Sequence, residues 1–196
     1  MATWSACILA GGKGRRLDGQ VKPLVAVGGR TILARQVEAF ALLGVRPALV
    51  APDPVPFAGQ GLDVIPDDVA AGALGAVYTA LQHSRTDHVL VVAGDMPFVT
   101  APFLGFLASL VGDHDAVVPS MGGRWQPLCA VYHRRAADRL RVAIDAGEWR
   151  VVDAVVGLEV RVVIDGEILP FDPDGRLMLN VNTPDDHRRA DEHALP

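Results

Sequence analysis

The segment Gly11-Gly12-Lys13-Gly14-Arg15-Arg16-Leu17-Asp18-Gly19-Gln20-Val21-Lys22-Pro23 directly follows the apolar run Cys7-Ile8-Leu9-Ala10. A glycine-rich turn after a buried strand lets backbone N–H groups approach a phosphate closely. Lys13, Arg15, Arg16 and Lys22 add cationic donors to it. Two familiar phosphate loops fail here. A dinucleotide fingerprint begun at Gly12-x-Gly14 needs glycine where Leu17 stands. A P-loop from Gly14 to Gly19 needs Lys and then Ser or Thr, where Gln20 and Val21 stand. A solvated basic loop is the plain alternative, but glycines and four cations after a core strand favour phosphate binding. A second candidate is Asp95, which follows Val89-Leu90-Val91-Val92-Ala93 and so emerges at the carboxyl end of a central strand. That end is where open α/β sheets bind ligands.

These positions require a sheet, and the sequence supplies one. The runs Ala6–Ala10, Ala48–Ala51, Val89–Ala93 and Ala116–Pro119 are continuous and apolar, as parallel strands buried on both faces are. Between them, Thr31–Leu43 puts Leu33, Val37, Phe40 and Ala41 on one helical face, with Thr31 as N-cap and Gly44 at C′. Ala73–His83 and Pro102–Leu110 also read as helices. Later, Leu128–Tyr132 and Glu159–Ile164 suit strands and Arg134–Ala146 a helix. Asp165-Gly166 and Pro173-Asp174-Gly175 are expected turns, and Thr183-Pro184-Asp185-Asp186 starts a terminal helix. Pro52–Pro56 reads as a stiff surface connection. The expected class is α/β: a Rossmann-like three-layer α/β/α arrangement with a mostly parallel central sheet.

The chain has 196 residues, 50% of them hydrophobic, and a formal net charge of −5. Folding at this size takes roughly 30,000 Å² of chain surface down to roughly 9,000 Å², enough for one substantial core. Residues 1–196 are therefore expected to form a single domain. The acidic balance gives no basic footprint for extended nucleic-acid binding. No apolar stretch approaches the ~20 residues of a membrane span. Met-Ala-Thr-Trp-Ser-Ala at the N-terminus does not read as a signal peptide. Cys7 and Cys129 sit in apolar surroundings and read as buried small hydrophobes in a reducing compartment, although one disulfide between them is geometrically open. A soluble, cytoplasmic protein is expected. The six histidines show no ligand spacing.

Four segments together carry a family resemblance. Leu9–Leu17 with Lys22-Pro23-Leu24 resembles the signature loop of nucleotidyltransferases. Ala93-Gly94-Asp95-Met96-Pro97, Gln126–Val131 and Asn180-Val181-Asn182-Thr183-Pro184-Asp185 narrow the match. In this order and at this length they are similar to the molybdenum cofactor guanylyltransferase (MobA) family, over nearly the whole chain. The resemblance implies a nucleotidyltransferase fold and GMP transfer from GTP to molybdopterin, with release of pyrophosphate. It implies a nucleotide-binding N-terminal half and an acceptor-binding C-terminal half. Transient cofactor-delivery proteins are among the partners such an enzyme can have.

The resemblance also implies roles. Asp95 would hold Mg²⁺, a hard cation that takes oxygen ligands from one or two carboxylates, phosphates and water; a turn aspartate ahead of Pro97 is the bland alternative. Leu9, Ala10 and Gly11, followed by Gly12 and Gly14, would contact the nucleotide through backbone. Lys22 would bind the triphosphate, with Lys13 and Arg16 as further candidates; for Arg15 plain solvation is expected. Asp67 matches a family aspartate near the nucleoside, and a helix cap is an equal alternative. Asn180 and Asn182, two apart on an extended segment, point to one side and would reach the metal–phosphate site or the acceptor. Arg124, Trp125, Gln126, Trp149 and Arg150 could offer the acceptor a cation and a flat surface, against the commoner role of Trp in a core.

The chain departs from the family in its base-recognition turn. That turn commonly reads Gly-Pro-Leu-Ala-Gly and is here Gly72-Ala73-Leu74-Gly75-Ala76. A family asparagine is replaced near Ala51, and Lys22-Pro23-Leu24 differs from the more frequent Asp-Lys-Gly/Ala-Leu. Guanine over cytosine therefore follows from the overall match. The alternatives are a cytidylyl- or sugar-phosphate nucleotidyltransferase on the same fold, or a non-catalytic nucleotide-binding adaptor.

Overall fold

A computed structural model describes residues 4–11, 20–67, 69 and 71–194. Its strands are β1 (Trp4–Leu9), β2 (Ala26–Val27), β3 (Arg30–Thr31), β4 (Ala48–Ala51), β5 (Val64–Pro66), β6 (His88–Ala93), β7 (Ala116–Met121), β8 (Arg124–Trp125), β9 (Cys129–His133) and β10 (Val160–Val163). Its helices are α1 (Ile32–Leu42), α2 (Gly72–His83), α3 (Ala101–Ser109), α4 (Ala136–Asp145), α5 (Val151–Val156), α6 (Asp165–Ile168) and α7 (Pro184–Ala194).

The main sheet runs β10-β7-β9-β6-β1-β4-β5, with β8 hairpinned onto β7. Strands β5, β4, β1 and β6 are mutually parallel, and β10 is parallel to β7. Strand β9 runs antiparallel to both its neighbours. The result is the expected mostly parallel sheet, with β9 and the short β8 reversed.

Side-chain alternation divides the sheet into two faces. Ala6 and Ile8 pack with Leu33 and Phe40 of α1 and Phe103, Leu104 and Leu107 of α3. Cys7 and Leu9 pack on the other side with Leu74 and Val77 of α2, Leu140 of α4 and Val151 of α5. This is the three-layer α/β/α arrangement. The cysteines are free and buried, in different layers. Burial pushes both thiols up to about 12, so neither is a reactive thiolate at neutral pH. A third cluster of Val25, Val27, Ile32, Val181 and Ala190 joins the β2–β3 ribbon to α7.

Local signals hold where a named interaction enforces them. Thr31 Oγ1 accepts from Ala34 N at 3.1 Å and caps α1, while Gly44 takes φ +70° after its end. Asp165-Gly166, expected as a turn, instead opens α6: Glu167 accepts from Ile164 N at 3.1 Å, and Ile168 is buried beneath. Pro52–Pro56 contributes to a 3₁₀ turn over Val55–Phe57 that buries Phe57. Among the described residues, no helix is long and apolar enough to cross a membrane.

Candidate functional site

The carboxyl ends of β1, β4 and β6 open into a cleft of about 260 Å³. Its floor includes Leu9, Ala10, Gly11, Gly94 and Asp95. Ala10 N donates to Val50 O at 2.8 Å and Gly94 N to Leu9 O at 2.9 Å, so the three strand ends are laced together by backbone. Gly94 is dictated by space: a Cβ there would lie 2.6 Å from Pro23 Cγ and 3.1 Å from Leu9 O. Its absence lets the Lys22-Pro23-Leu24 turn settle onto the end of β6.

That turn delivers Lys22. Its Nζ donates to Asp95 Oδ2 at 3.2 Å and also to Asn182 Oδ1. Three residues separated by 73 and 160 positions thus meet at one ammonium group. Asn182 arrives because Val181 is buried between the ribbon and α7, and its N–H donates to Asp95 O at 2.8 Å. The start of α7 fixes the segment further. Thr183 Oγ1 accepts from Asp186 N, while Asp186 Oδ2 accepts from the N–H groups of Asn182 and Thr183.

Asp95 is mostly buried, its side chain 17% exposed. Burial raises its carboxyl above the ordinary range, against the pull of Lys22. Its Oδ1 is buried and has no partner among the described residues. An ionised oxygen left bare in this way suits a cation that phosphate and water would complete, since unpaired buried charge is otherwise costly. Among the described residues, no group of three or more His, Cys, Asp or Glu could hold a metal alone. An ion held by Asp95 would need further oxygen ligands, such as phosphate and water.

Apart from the exposed Asp53, the far wall of the cleft is apolar, lined by Pro52, Pro56 and Phe57 and by Ala73 and Ala76 of α2. Gly75 behind them also has no space for a side chain, because a Cβ would sit 2.4 Å from Val69 O. Gly75 stands where the family pattern has alanine, so this departure coincides with a position that has no space for a Cβ. Asp67 lies at the end of β5, separated from β6 by β4 and β1. There its N–H donates to Ala51 O and its Oδ1 accepts from Thr79 Oγ1 at 3.0 Å. Three strand spacings place it roughly 14 Å along the crevice from Asp95.

A second cavity, of about 320 Å³, adjoins the first through shared Ala73 and Leu128. Gln126, Trp149, Arg150 and Asn180 border it. Asn180 thus borders the second cavity, while Asn182 meets Lys22, which lines the first; Asn180 Nδ2 also donates to Met178 O at 3.2 Å. Trp149 is 63% exposed, while Trp125 packs against the core beside β9 and Arg124 is exposed on the hairpin. Of the positions singled out in the sequence, Lys22, Asp95 and Asn182 come together and Leu9, Ala10 and Gly11 line the same cleft. Gly12, Lys13, Gly14, Arg15 and Arg16 lie outside the described residues.

Sequence reasoning missed Pro52 and Phe57 in the cleft wall, which carry no chemical signature, whereas Ala73 and Ala76 belong to the turn compared with the family above.

Residues 6–160 match the MobA-like NTP transferase domain family. A molybdenum cofactor guanylyltransferase of Rhodopseudomonas palustris is 34% identical, covering 97% of this chain and 93% of its own. Among solved structures, molybdopterin-guanine dinucleotide biosynthesis protein A of Archaeoglobus fulgidus superposes with a TM-score of 0.83 at 28% identity, covering 96% of this chain and 97% of that one. The 2-C-methyl-D-erythritol 4-phosphate cytidylyltransferase of Thermus thermophilus shares the fold alone, with a TM-score of 0.71 at 19% identity over 97% of this chain and 98% of that one. The family match over most of the chain and the near-complete relative agree, and the chain belongs to the MobA-like NTP transferase family.

Proposed function

We propose that this chain transfers GMP from GTP to the phosphate of molybdopterin, forming molybdopterin guanine dinucleotide and pyrophosphate. The observation that carries the reading is Asp95. One carboxylate oxygen is tied to Lys22 and the other has no partner among the described residues, at the strand ends of a chain related to guanylyltransferases. A phosphate oxygen of the acceptor attacks the α-phosphorus of GTP. The new P–O bond forms as the bond to the β-phosphate bridging oxygen breaks, and pyrophosphate leaves with the electron pair. The nucleophile is already an oxyanion, so no strong general base is needed. Positioning and electrostatics are what the site must supply.

Lys22, held between Asp95 and Asn182, is placed to donate to a phosphate oxygen. Leu9, Ala10 and Gly11 let the polyphosphate lie close to backbone, and Lys13 and Arg16 are further donors on this reading. Asp95 would hold Mg²⁺, which when bound neutralises charge on the phosphates. The apolar wall of Pro52, Phe57 and Ala76 suits a planar base, and on this reading Asp67, after β5, would serve the nucleoside although it does not line the cleft. In the second cavity Trp149 offers a flat surface, Arg150 a cation, and Gln126 and Asn180 polar edges to the acceptor. The N-terminal half thus serves the nucleotide and the C-terminal half the acceptor, within one domain. A cytoplasmic setting belongs to the same reading, supported by the unpaired cysteines.

The test is a nucleotide panel. The purified chain is given molybdopterin, Mg²⁺ and GTP, CTP or ATP, and both dinucleotide and pyrophosphate are measured. GTP is expected to give the highest kcat/KM; preference for CTP overturns the assignment.

A further inference from the structure

Gln36 is fully buried on the inner face of α1, in line with Ile32, Leu33, Ala39 and Phe40. An apolar residue would continue that stripe, and burying an amide is costly unless its hydrogen bonds are made. Both hydrogens of its Nε2 go to one short loop, to Ala93 O at 2.8 Å and Met96 O at 3.0 Å. Those carbonyls bracket Gly94 and Asp95. Met96 N also donates to Ala93 O at 3.3 Å, so the turn closes on itself and the Gln36 amide bridges its two ends. The Gln36 Oε1 has no partner among the described residues, so the side chain's hydrogen bonds there are those it donates to the loop.

We infer that Gln36 is a positioning residue for the transfer reaction. It clamps the Ala93–Met96 turn so that the Asp95 carboxylate stays against Lys22 with Oδ1 free. The role rests on Asp95 acting in catalysis as proposed above. Gln36 itself touches no reacting atom. An amide suits the position because it can donate twice without bringing a charge beside Asp95. Leucine or methionine would fill the space but take the Nε2 donor away from both Ala93 O, which keeps its bond from Met96 N, and Met96 O.

Gln36→Met and Gln36→Glu test this. Each variant is followed by amide hydrogen exchange read by mass spectrometry, and by kcat and KM for GTP per folded molecule. In Gln36→Met, exchange is expected to quicken at least tenfold at Gly94–Met96 and Val181, with the amides of β1 and β4 unchanged. kcat falls at least tenfold while KM for GTP stays within twofold. In Gln36→Glu, the ionised carboxylate repels both carbonyls and its protonated form donates to one. Its kcat relative to wild type therefore rises as pH falls from 8 to 6. A uniform rise in exchange with unchanged kcat assigns Gln36 to general stability and overturns the inference. If Gln36→Met does not fold, a pH-independent ratio in Gln36→Glu overturns it equally. Should the wild type prefer another nucleotide, the specificity reading fails alone, and the same ratios are measured with that nucleotide.

Discussion

The cleft beside Asp95 and the cavity beside Trp149 share Ala73 and Leu128, yet they are made of different material. The first is built from strand ends laced by backbone, and its ion pair is mostly withdrawn from water: Asp95 is 17% exposed and Lys22 20%. The second is bordered by turns, where Trp149 is 63% exposed. What steadies that border is the Glu148 carboxylate, which accepts from Trp149 N at 2.8 Å and Arg150 N at 2.7 Å. Charge that develops at one phosphorus must be met by fixed groups in a low dielectric. A flat ring needs area, and area can be offered from a turn. Changes in the first region should therefore act on kcat, and changes in the second on the KM of the acceptor.

The largest effect tests the first half of that contrast. Asp95→Asn is expected to lower kcat on the order of 10²–10³-fold, the usual cost of removing one preorganised electrostatic group. Because burial raises this carboxyl above its unfolded value, its ionised form weakens the fold as pH rises through that raised pKa. The variant should thus melt no lower than wild type at pH 7. A clear fall in Tm would show that the carboxylate is structural. The same shift predicts that the acid limb of kcat/KM lies above the ~3.9 of an ordinary aspartate. Lys22→Met removes the group that counteracts burial, so it should move this limb to still higher pH while lowering kcat. An unmoved limb separates Lys22 from Asp95 functionally.

Trp149→Ala tests the second half. Stacking of a flat ring on an aromatic side chain is worth about 1–3 kcal/mol, so the acceptor KM should rise roughly tenfold, with KM for GTP unchanged. Equal effects on both substrates would merge the two regions into one.

The two regions also differed in how far the sequence revealed them. Asp95 and Lys22 were legible because a buried strand must end somewhere and its end is the crevice, and because glycine and cations have few other uses there. The parallel strands and α1 were legible for a related reason, since continuous apolar runs and a Thr31 cap act locally. In the second region the side chains Gln126, Trp149, Arg150 and Asn180 were singled out, but the elements of the second half of the chain were less legible because they depend on tertiary contact. Val151–Val156 is β-branched and suits a strand, yet it folds as α5 because Val151 and Val155 bury against the sheet. Asp165-Gly166 carries a turn signature that Glu167 and buried Ile168 override. The meeting of Asn182 with Lys22 depends on Val181 docking in a cluster drawn from both ends of the chain, which no local pattern encodes.

The smallest expected effect concerns how the first region borrows rigidity from the end of the chain. Thr183 caps α7 through Asp186 N at 3.2 Å, and the same cap orients the N–H of Asn182 beside Lys22. Thr183→Ala should cost about 1 kcal/mol of stability, or about 2–4 °C in Tm for a chain of this size. Val181 remains buried and its bond to Asp95 O remains intact, so Asn182 keeps its approach. kcat at 25 °C should therefore stay within about threefold of wild type, and the acceptor KM should not move. A loss of activity as deep as that of Lys22→Met would place the cap within the catalytic geometry and extend the rigid region to α7. A Tm change without a change in rate bounds that region at the Val181 bond, leaving the helix beyond it as support.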